Sequence, residues 1–255
     1  MRPSEPHFKA RLATTPEELR AAQTLRYEVF VEELGGDGAM VDHQARLEQD
    51  RFDPYFDHLI LSDERQGGKI IGVYRLLRED QARRVGQFYS EDEYDLTPLK
   101  RSGRKLLELG RSCVAREYRG GTAMFHLWQA LAQYVQRHEI DIMFGVASFH
   151  GTDAQALAQP LSLLHHRHLA PKALRVRACA GQYQRLDLLD EAGLDRVAAM
   201  RQMPSLIKAY LRLGGYVGDG GFIDHTFNTL DICLIMDMAA MNKKQKSFYT
   251  QSVSA

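Results

Sequence analysis

The 255-residue sequence is poor in cysteine: Cys113, Cys179 and Cys233 are odd in number and far apart. That excludes a disulfide framework and a zinc pattern, and implies reduced thiols in a cytoplasmic setting. Net charge is also lacking, with 33 basic side chains against 33 acidic. No overall field calls for nucleic acid. No apolar run approaches the ~18 residues that span a bilayer, and the opening M-R-P-S-E-P-H has no signal-peptide core. Internal repeats and low-complexity linkers are missing as well. The expectation is a soluble or membrane-peripheral chain forming one domain over residues 1–255, its basic then polar end, 240–255, frayed.

What is present centres on Arg104–Val135. The apolar run Leu106–Val114, interrupted by Glu108 and Arg111, predicts a strand. Gly120 and Gly121 predict a turn. Met124, Leu127, Trp128, Leu131 and Val135 recur at helical spacing. Strand, glycine turn and helix together aim backbone N–H groups and a positive helix end at an anion, although an ordinary strand–turn–helix has the same pattern. Strands and helices alternate along the rest of the chain, which predicts an α/β (α+β) fold.

Thr15-Pro16-Glu17-Glu18 opens a helix that should run to about Leu34, with Arg26 and Phe30 four apart on it. Residues 37–57 form a long polar loop, whose Phe52, Tyr55 and Phe56 suggest a packed cover and whose end carries Asp50 and Asp53. His58–Ser62 and Lys69–Leu77 read as strands of a hairpin turning at Gly67-Gly68. Arg75 lies inside the second strand and needs a partner when buried; Asp50, Asp53 and Glu108 are the candidates. Residues 81–98 read as loop, Ile140–Ser148 as strand, and Thr152-Asp153 as the cap of a helix to about His166. A helical stretch Leu186–Met203, a helix opened by Pro204 and closed at Gly214-Gly215, and a strand Leu230–Met238 follow. His165, His166 and His168 point in different directions on a helix, so no metal centre is expected there; Lys172, Arg175 and Arg177 continue a basic surface. Between Lys100 and Arg119 seven bases face two acids. This stretch is either a dock for an acidic partner or a solvated strand edge.

The stretch V-A-R-E-Y-R-G-G-T-A-M-F, between a strand and an amphipathic helix, resembles the acyl-donor core of the GNAT acyltransferases. The resemblance implies a mixed, mostly antiparallel sheet with a splayed central strand pair, flanked by helices. It also implies that backbone N–H groups of an R-x-x-G-x-G/A turn hold the donor's phosphates. Arg119 and Gly120 match the turn's start, whereas Thr122 and Met124 stand where two small residues belong, which favours a donor with a single phosphate. The chain is similar to the acyl-homoserine-lactone synthases in Arg26 with Phe30, Asp50 with Asp53, Arg75 in G-V-Y-R-L-L, and Glu108 with Arg111. Its last third, from P-S-L-I-K-A-Y-L-R-L to T-F-N-T-L-D-I, resembles instead the ornithine acyl-carrier-protein N-acyltransferases, some labelled hemolysins; L-E-L-G-R-S-C-V and the R-Y-E-V-F helix are similar to them too, so this resemblance runs from about Arg26 to Met238.

That resemblance implies transfer of a 3-hydroxyacyl chain from acyl carrier protein to the α-amino group of L-ornithine, giving lyso-ornithine lipid. The alternatives are the same chemistry on glutamine or homoserine, or a noncatalytic lipid-binding protein; the last has no need of Glu108, Arg111, Asp50 and Asp53. Attack by an amine on a thioester needs a proton acceptor, for which Glu108 is the candidate, with a structural ion pair to Arg75 or Arg111 as its other reading. Asp50 and Asp53 would hold the acceptor's amines or pair with Arg26, and Arg75 or Arg111 would take its carboxylate. Cys113 marks a backbone N–H for the oxyanion, or else a nucleophile. Val114, Arg119, Gly120, Gly121 and Thr122 would line the phosphopantetheine. Phe125, Trp128, Phe144 and Phe149 would line an acyl tunnel or belong to the core. No metal and no cofactor beyond the donor's phosphopantetheine is expected. The partners are acyl carrier protein and L-ornithine or a similar amino acid, with peripheral contact at the inner membrane face and no nucleic acid.

Overall fold

The computed structural model describes residues 6–241. The expected frayed end falls almost wholly outside them. The chain divides into two compact units. One takes the residues up to Leu77 together with Leu109–Glu139; the other takes Arg78–Glu108 and the chain from Ile140 onward.

The first unit opens with strand β1 (Phe8–Leu12) and helix α1 (Pro16–Arg26). The α1 start is a capping box: the Thr15 hydroxyl accepts from Glu18 N–H at 3.3 Å, while the Glu18 carboxylate accepts from Thr15 N–H at 3.4 Å and Thr14 N–H at 2.7 Å. The expected continuation to Leu34 exists as a different helix. Tyr27–Glu33 forms a π-helix, a wider winding that occurs mainly at functional positions. Strands β2 (Asp57–Asp63) and β3 (Lys69–Arg78) make the hairpin, with Gly67 and Gly68 both at positive φ in its turn. The order here is β1-β2-β3-β5, and β5 (Leu106–Val114) enters from the second unit. Helix α4 (Ala123–His138) covers this part, its Leu127, Leu131 and Val135 buried as the periodicity predicted. Its close approach depends on Gly72, where a Cβ would stand 3.0 Å from Leu127 and 3.2 Å from Leu61.

In the second unit, residues 81–98 are not a loop. Short elements fill them: α2 (Glu79–Val85), a 3-10 turn at Tyr89–Asp92, β4 (Tyr94–Asp95) and α3 (Thr97–Lys100). Strand β6 (Ile142–His150) pairs in parallel with the first residues of β5, Leu106–Glu108 against Ile142–Phe144. Three pairs in two nine-residue strands fit the splayed pair that the resemblance implies. Along its whole length β6 pairs antiparallel with β11 (Thr229–Asp237).

Helix α5 (Ala158–His168) starts about four residues later than the expected cap implies, and Asp153 instead caps a turn ahead of it through Gln155 and Ala156 N–H. The small strands β7 (Arg177–Ala178) and β8 (Tyr183–Gln184) follow. The predicted helix at 186–203 shrinks to α6 (Arg196–Gln202), capped by Asp195. Helix α7 (Ser205–Arg212) leads to β9 (Tyr216–Val217) and β10 (Gly221–Asp224). The strand order is β5-β6-β11-β10-β8, with β9 on β11. Phe144 and Phe149 are 2% and 1% exposed, and Phe144 stacks edge-on with Phe88 at 5.1 Å, so both are core. Among the described residues no helix is long and apolar enough to cross a membrane.

Candidate active site

Six charged side chains of the first unit meet in one network. Arg26 is the last residue of α1, at the point where the winding widens. Glu48, Asp50 and Asp53 come from the loop, Arg75 from β3 and Arg111 from β5. Arg26 donates from Nε to Glu48 Oε2 at 2.5 Å and from Nη1 to Asp53 Oδ1 at 2.7 Å. Arg75 Nη1 donates to Asp53 Oδ1 and to Asp50 Oδ2, both at 2.7 Å. Arg111 Nε reaches the other Glu48 oxygen at 3.0 Å, and its Nη2 lies 3.7 Å from Asp50 Oδ2. Gln23 donates to Asp53 Oδ2 at 2.9 Å. Three guanidiniums balance three carboxylates. Arg26 and Arg75 are wholly buried, Glu48 is 1% and Asp53 4% exposed; solvent reaches the side chains of Arg111 (14%) and Asp50 (18%).

Burial alone would push these carboxylates up. Arg111, Arg26 and Arg75 reverse that for Glu48 and hold it at about 2, and Arg26 with Arg75 hold Asp53 low as well. Burial opposes charge on Arg26 too, and Glu48 and Asp53 raise it above its ordinary value. All three are therefore ionised at neutral pH. Removing one member would strand its partners as buried unpaired charges, a loss of about 3–5 kcal/mol.

Aromatic rings complete the arrangement. The Arg75 guanidinium lies 4.3 Å from the Phe56 centroid, and that of Arg111 lies 6.0 Å from Phe30. His58 Nε2–H donates to the Asp53 carbonyl at 3.0 Å, which fixes its tautomer, and burial lowers its basicity. Arg111 has φ 49° in mid-strand. This left-handed conformation costs a non-glycine residue about 1–2 kcal/mol and persists where its surroundings impose it.

The structure thus brings together Arg26, Phe30, Asp50, Asp53, Arg75 and Arg111. Arg26 is wholly buried. Arg75 takes its partners from the two loop aspartates. Cys113 is buried and its thiol is pushed up to about 12 by burial, so it is protonated at neutral pH. Phe125 is 37% exposed and stacks edge-on with His126 at 6.0 Å.

Glu108 belongs to the second unit and is 1% exposed. Its Oε2 accepts from Tyr89 N–H at 2.7 Å; its Oε1 accepts from Ser90 N–H at 2.6 Å and from the Ser90 hydroxyl. These donors fix the carboxylate rigidly against the 3-10 turn. Sequence reasoning missed Ser90 because it read 81–98 as loop. It also missed Glu48 and Gln23; the signal for Glu48 was E-Q-D-R-F-D, three acids in six residues.

At the glycine turn, Val114 is buried and its carbonyl accepts from Arg119 Nε at 2.8 Å. The rest of the Arg119 guanidinium grips Glu33, at the end of the π-helix, at 2.7 and 3.2 Å. Gly120 has φ 79°, and Gly120, Gly121 and Thr122 are exposed ahead of α4, whose N-cap Thr122 makes no side-chain cap. Arg119 is therefore committed to Glu33. His166 Nε2 donates to the Leu189 carbonyl at 2.9 Å, and no group of His, Cys, Asp and Glu side chains able to hold a metal occurs among the described residues.

Comparison with known proteins extends this geometry. The acetyltransferase (GNAT) domain family matches residues 25–129, the segment that carries the network and the glycine turn. An L-ornithine N(alpha)-acyltransferase of Rhodobacter capsulatus is 58% identical over 250 residues, 96% of each chain. One of Brucella abortus is 42% identical over 95% of this chain and 88% of its own. The chain belongs to the L-ornithine N(alpha)-acyltransferase family. Solved structures place the family's fold. The AHL synthase LasI superposes with a TM-score of 0.52 over 98% of each chain at 15% identity. The CoA-dependent acyl-homoserine lactone synthase BjaI gives 0.53 over 96% of this chain and 87% of its own at 13% identity. The mixed, mostly antiparallel sheet is thus shared between these synthases and the L-ornithine N(alpha)-acyltransferase family.

Proposed function

We propose that this protein moves a 3-hydroxyacyl chain from the phosphopantetheine of acyl carrier protein to the α-amino group of L-ornithine, giving lyso-ornithine lipid. One observation carries the acceptor half. The charged network is buried everywhere except at Arg111 and Asp50, a preformed pair of opposite charges 3.7 Å apart. An α-amino acid is a zwitterion of matching polarity, so Arg111 takes its carboxylate and Asp50 its ammonium. The names of the two relatives support ornithine as that amino acid.

In the reaction the ammonium gives up a proton, and the amine attacks the thioester carbonyl. The new C–N bond forms, the C–S bond breaks, and the second proton lost by the nitrogen passes to the pantetheine sulfur, which leaves as a thiol. Glu108 is the proposed proton acceptor, directly or through water, its orientation fixed by Tyr89 and Ser90. With Cys113 protonated, no acyl-enzyme intervenes. The exposed Gly120–Thr122 turn receives the donor's single phosphate through backbone N–H groups. No metal or further cofactor takes part in the proposal. The product is a lipid, and peripheral contact with the inner membrane face is proposed with it.

The experiment is direct: incubate purified protein with 3-hydroxyacyl carrier protein and a panel of amino acids, and read products by mass. The expected product is singly acylated ornithine. A product from glutamine or homoserine instead, or none, overturns the reading.

A further inference from the structure

Glu48 does not figure in the motifs that mark this site, yet it joins two of its arginines. Each carboxylate oxygen serves one guanidinium Nε, Oε2 that of Arg26 and Oε1 that of Arg111. The side chain is 1% exposed, so an acceptor does not reach it. It is ionised, and its main chain is tied to the carbonyl of Gln23 on α1 at 3.2 Å. Its anchor is therefore rigid. Arg111, by contrast, is a residue that needs holding: its backbone is left-handed in mid-strand, and its long side chain, like that of Asp50, meets solvent. An arginine recognises a carboxylate through a planar fork, and the fork works only at one orientation. Gripping Nε fixes that plane.

We propose that Glu48 is a positioning residue that fixes the Arg111 guanidinium where it receives the acceptor's carboxylate. This rests on the reading that Arg111 takes that carboxylate. Glutamine at this position keeps the shape but offers one oxygen and one N–H, so one of the two arginines meets a donor instead of an acceptor. Aspartate keeps the charge but is a methylene short.

The test is steady-state kinetics of Glu48→Gln, Arg111→Gln and the double variant, with whichever amino acid the wild type acylates fastest and with 3-hydroxyacyl carrier protein as donor. Acceptor affinity is also measured by calorimetric titration, so that the double variant is readable where turnover is lost. Glu48→Gln should raise the acceptor KM about tenfold or more while the donor KM stays within about threefold, a split that general loosening of the fold would not produce. In the Arg111→Gln background, Glu48→Gln should add nothing further. A folded Glu48→Gln protein with wild-type acceptor affinity overturns the proposal, and so do single effects that multiply fully in the double variant. If Glu48→Gln does not fold, Glu48→Asp carries the same measurement: the same split supports the proposal, and an unchanged acceptor KM overturns it. Preference of the wild type for an amino acid other than ornithine refutes that acceptor, while the kinetics on the preferred acceptor still decide the role of Glu48.

Discussion

At the scale of single residues, proton transfer and the geometry that supports it belong to adjacent groups. Glu108 is the proposed acceptor, and Ser90 binds it twice, through its N–H and its hydroxyl. Two substitutions separate chemistry from scaffolding. Glu108→Gln should lower kcat by about a hundredfold or more, the contribution typical of a positioned general base. Ser90→Ala removes the hydroxyl hydrogen bond and keeps the two from backbone N–H groups, so it should keep most of kcat while lowering the melting temperature. If Glu108→Gln retains turnover across the pH range, or Ser90→Ala loses as much as Glu108→Gln, the carboxylate is only scaffolding. Arg75 was legible because a charged side chain inside an apolar strand demands a partner, and Arg26, Phe30, Asp50, Asp53 and Arg111 were legible through the resemblance to the acyl-homoserine-lactone synthases. Glu48 was not, because an acid in a polar loop reads as solvated until the arginines it serves are placed. Ser90 was hidden for the same reason: a small polar residue in a presumed loop carries no pattern.

At the scale of elements, the network fastens α1, the loop at 48–53, β3 and β5 within the first unit. Its dependence on acid follows from the sign of the shifts. Glu48 ionises at about 2 in the folded protein against an ordinary value of 4.5, and Asp53 is lowered too. A depressed carboxylate contributes stability above its unfolded value and loses it as pH falls toward the folded one. The contribution of Glu48 and Asp53 should therefore be flat from neutral pH to about 5 and fall steeply between about pH 4.5 and 2. Glu48→Gln should flatten that fall while lowering stability at pH 7. Chemical denaturation at several pH values measures both, and an equally steep acid limb in the variant would remove Glu48 from the account. The elements of the network were legible in unequal measure. Strand Leu106–Val114 emerges with the bounds its apolar run implied, because burial on both faces leaves a continuous signal. The π-helix at Tyr27–Glu33 was read as ordinary helix, since one residue more per turn barely changes the apolar spacing. Residues 81–98 and 186–195 were misjudged because elements of two to seven residues are too short to show a period.

At the scale of the whole molecule, the proposed partners are a carrier protein and a lipid surface, and charge placement bears on both. The seven bases counted between Lys100 and Arg119 do not act as one patch. Arg104 is committed to Asp237, Lys100 to Glu91, Arg119 to Glu33, and Arg111 to the network. Arg101, Lys105 and Arg116 are exposed. If an acidic carrier protein docks on the exposed pair Arg101 and Lys105, reversing both charges should raise the donor KM about tenfold and leave the ornithine KM unchanged, and added salt should weaken the wild type more than the variant. An unchanged donor KM removes this dock.

The lipid surface has a different candidate. Helix α6 presents Val197, 68% exposed, between the exposed side chains of Arg196 and Arg201, while Ala199 is buried. An apolar tip flanked by cations suits the boundary between anionic headgroups and acyl chains. Each cation near such a surface contributes roughly 1 kcal/mol, and the attraction is screened by salt. The protein should therefore sediment with vesicles containing anionic phospholipid, less so with neutral ones and less at high salt. Val197→Asp should weaken that binding, and Arg196→Glu with Arg201→Glu should abolish most of it. Neither change should alter turnover of a soluble short-chain donor, because α6 contributes no residue to the network. Equal sedimentation of wild type and variants, or binding indifferent to lipid charge, would show that another face of the protein meets the membrane.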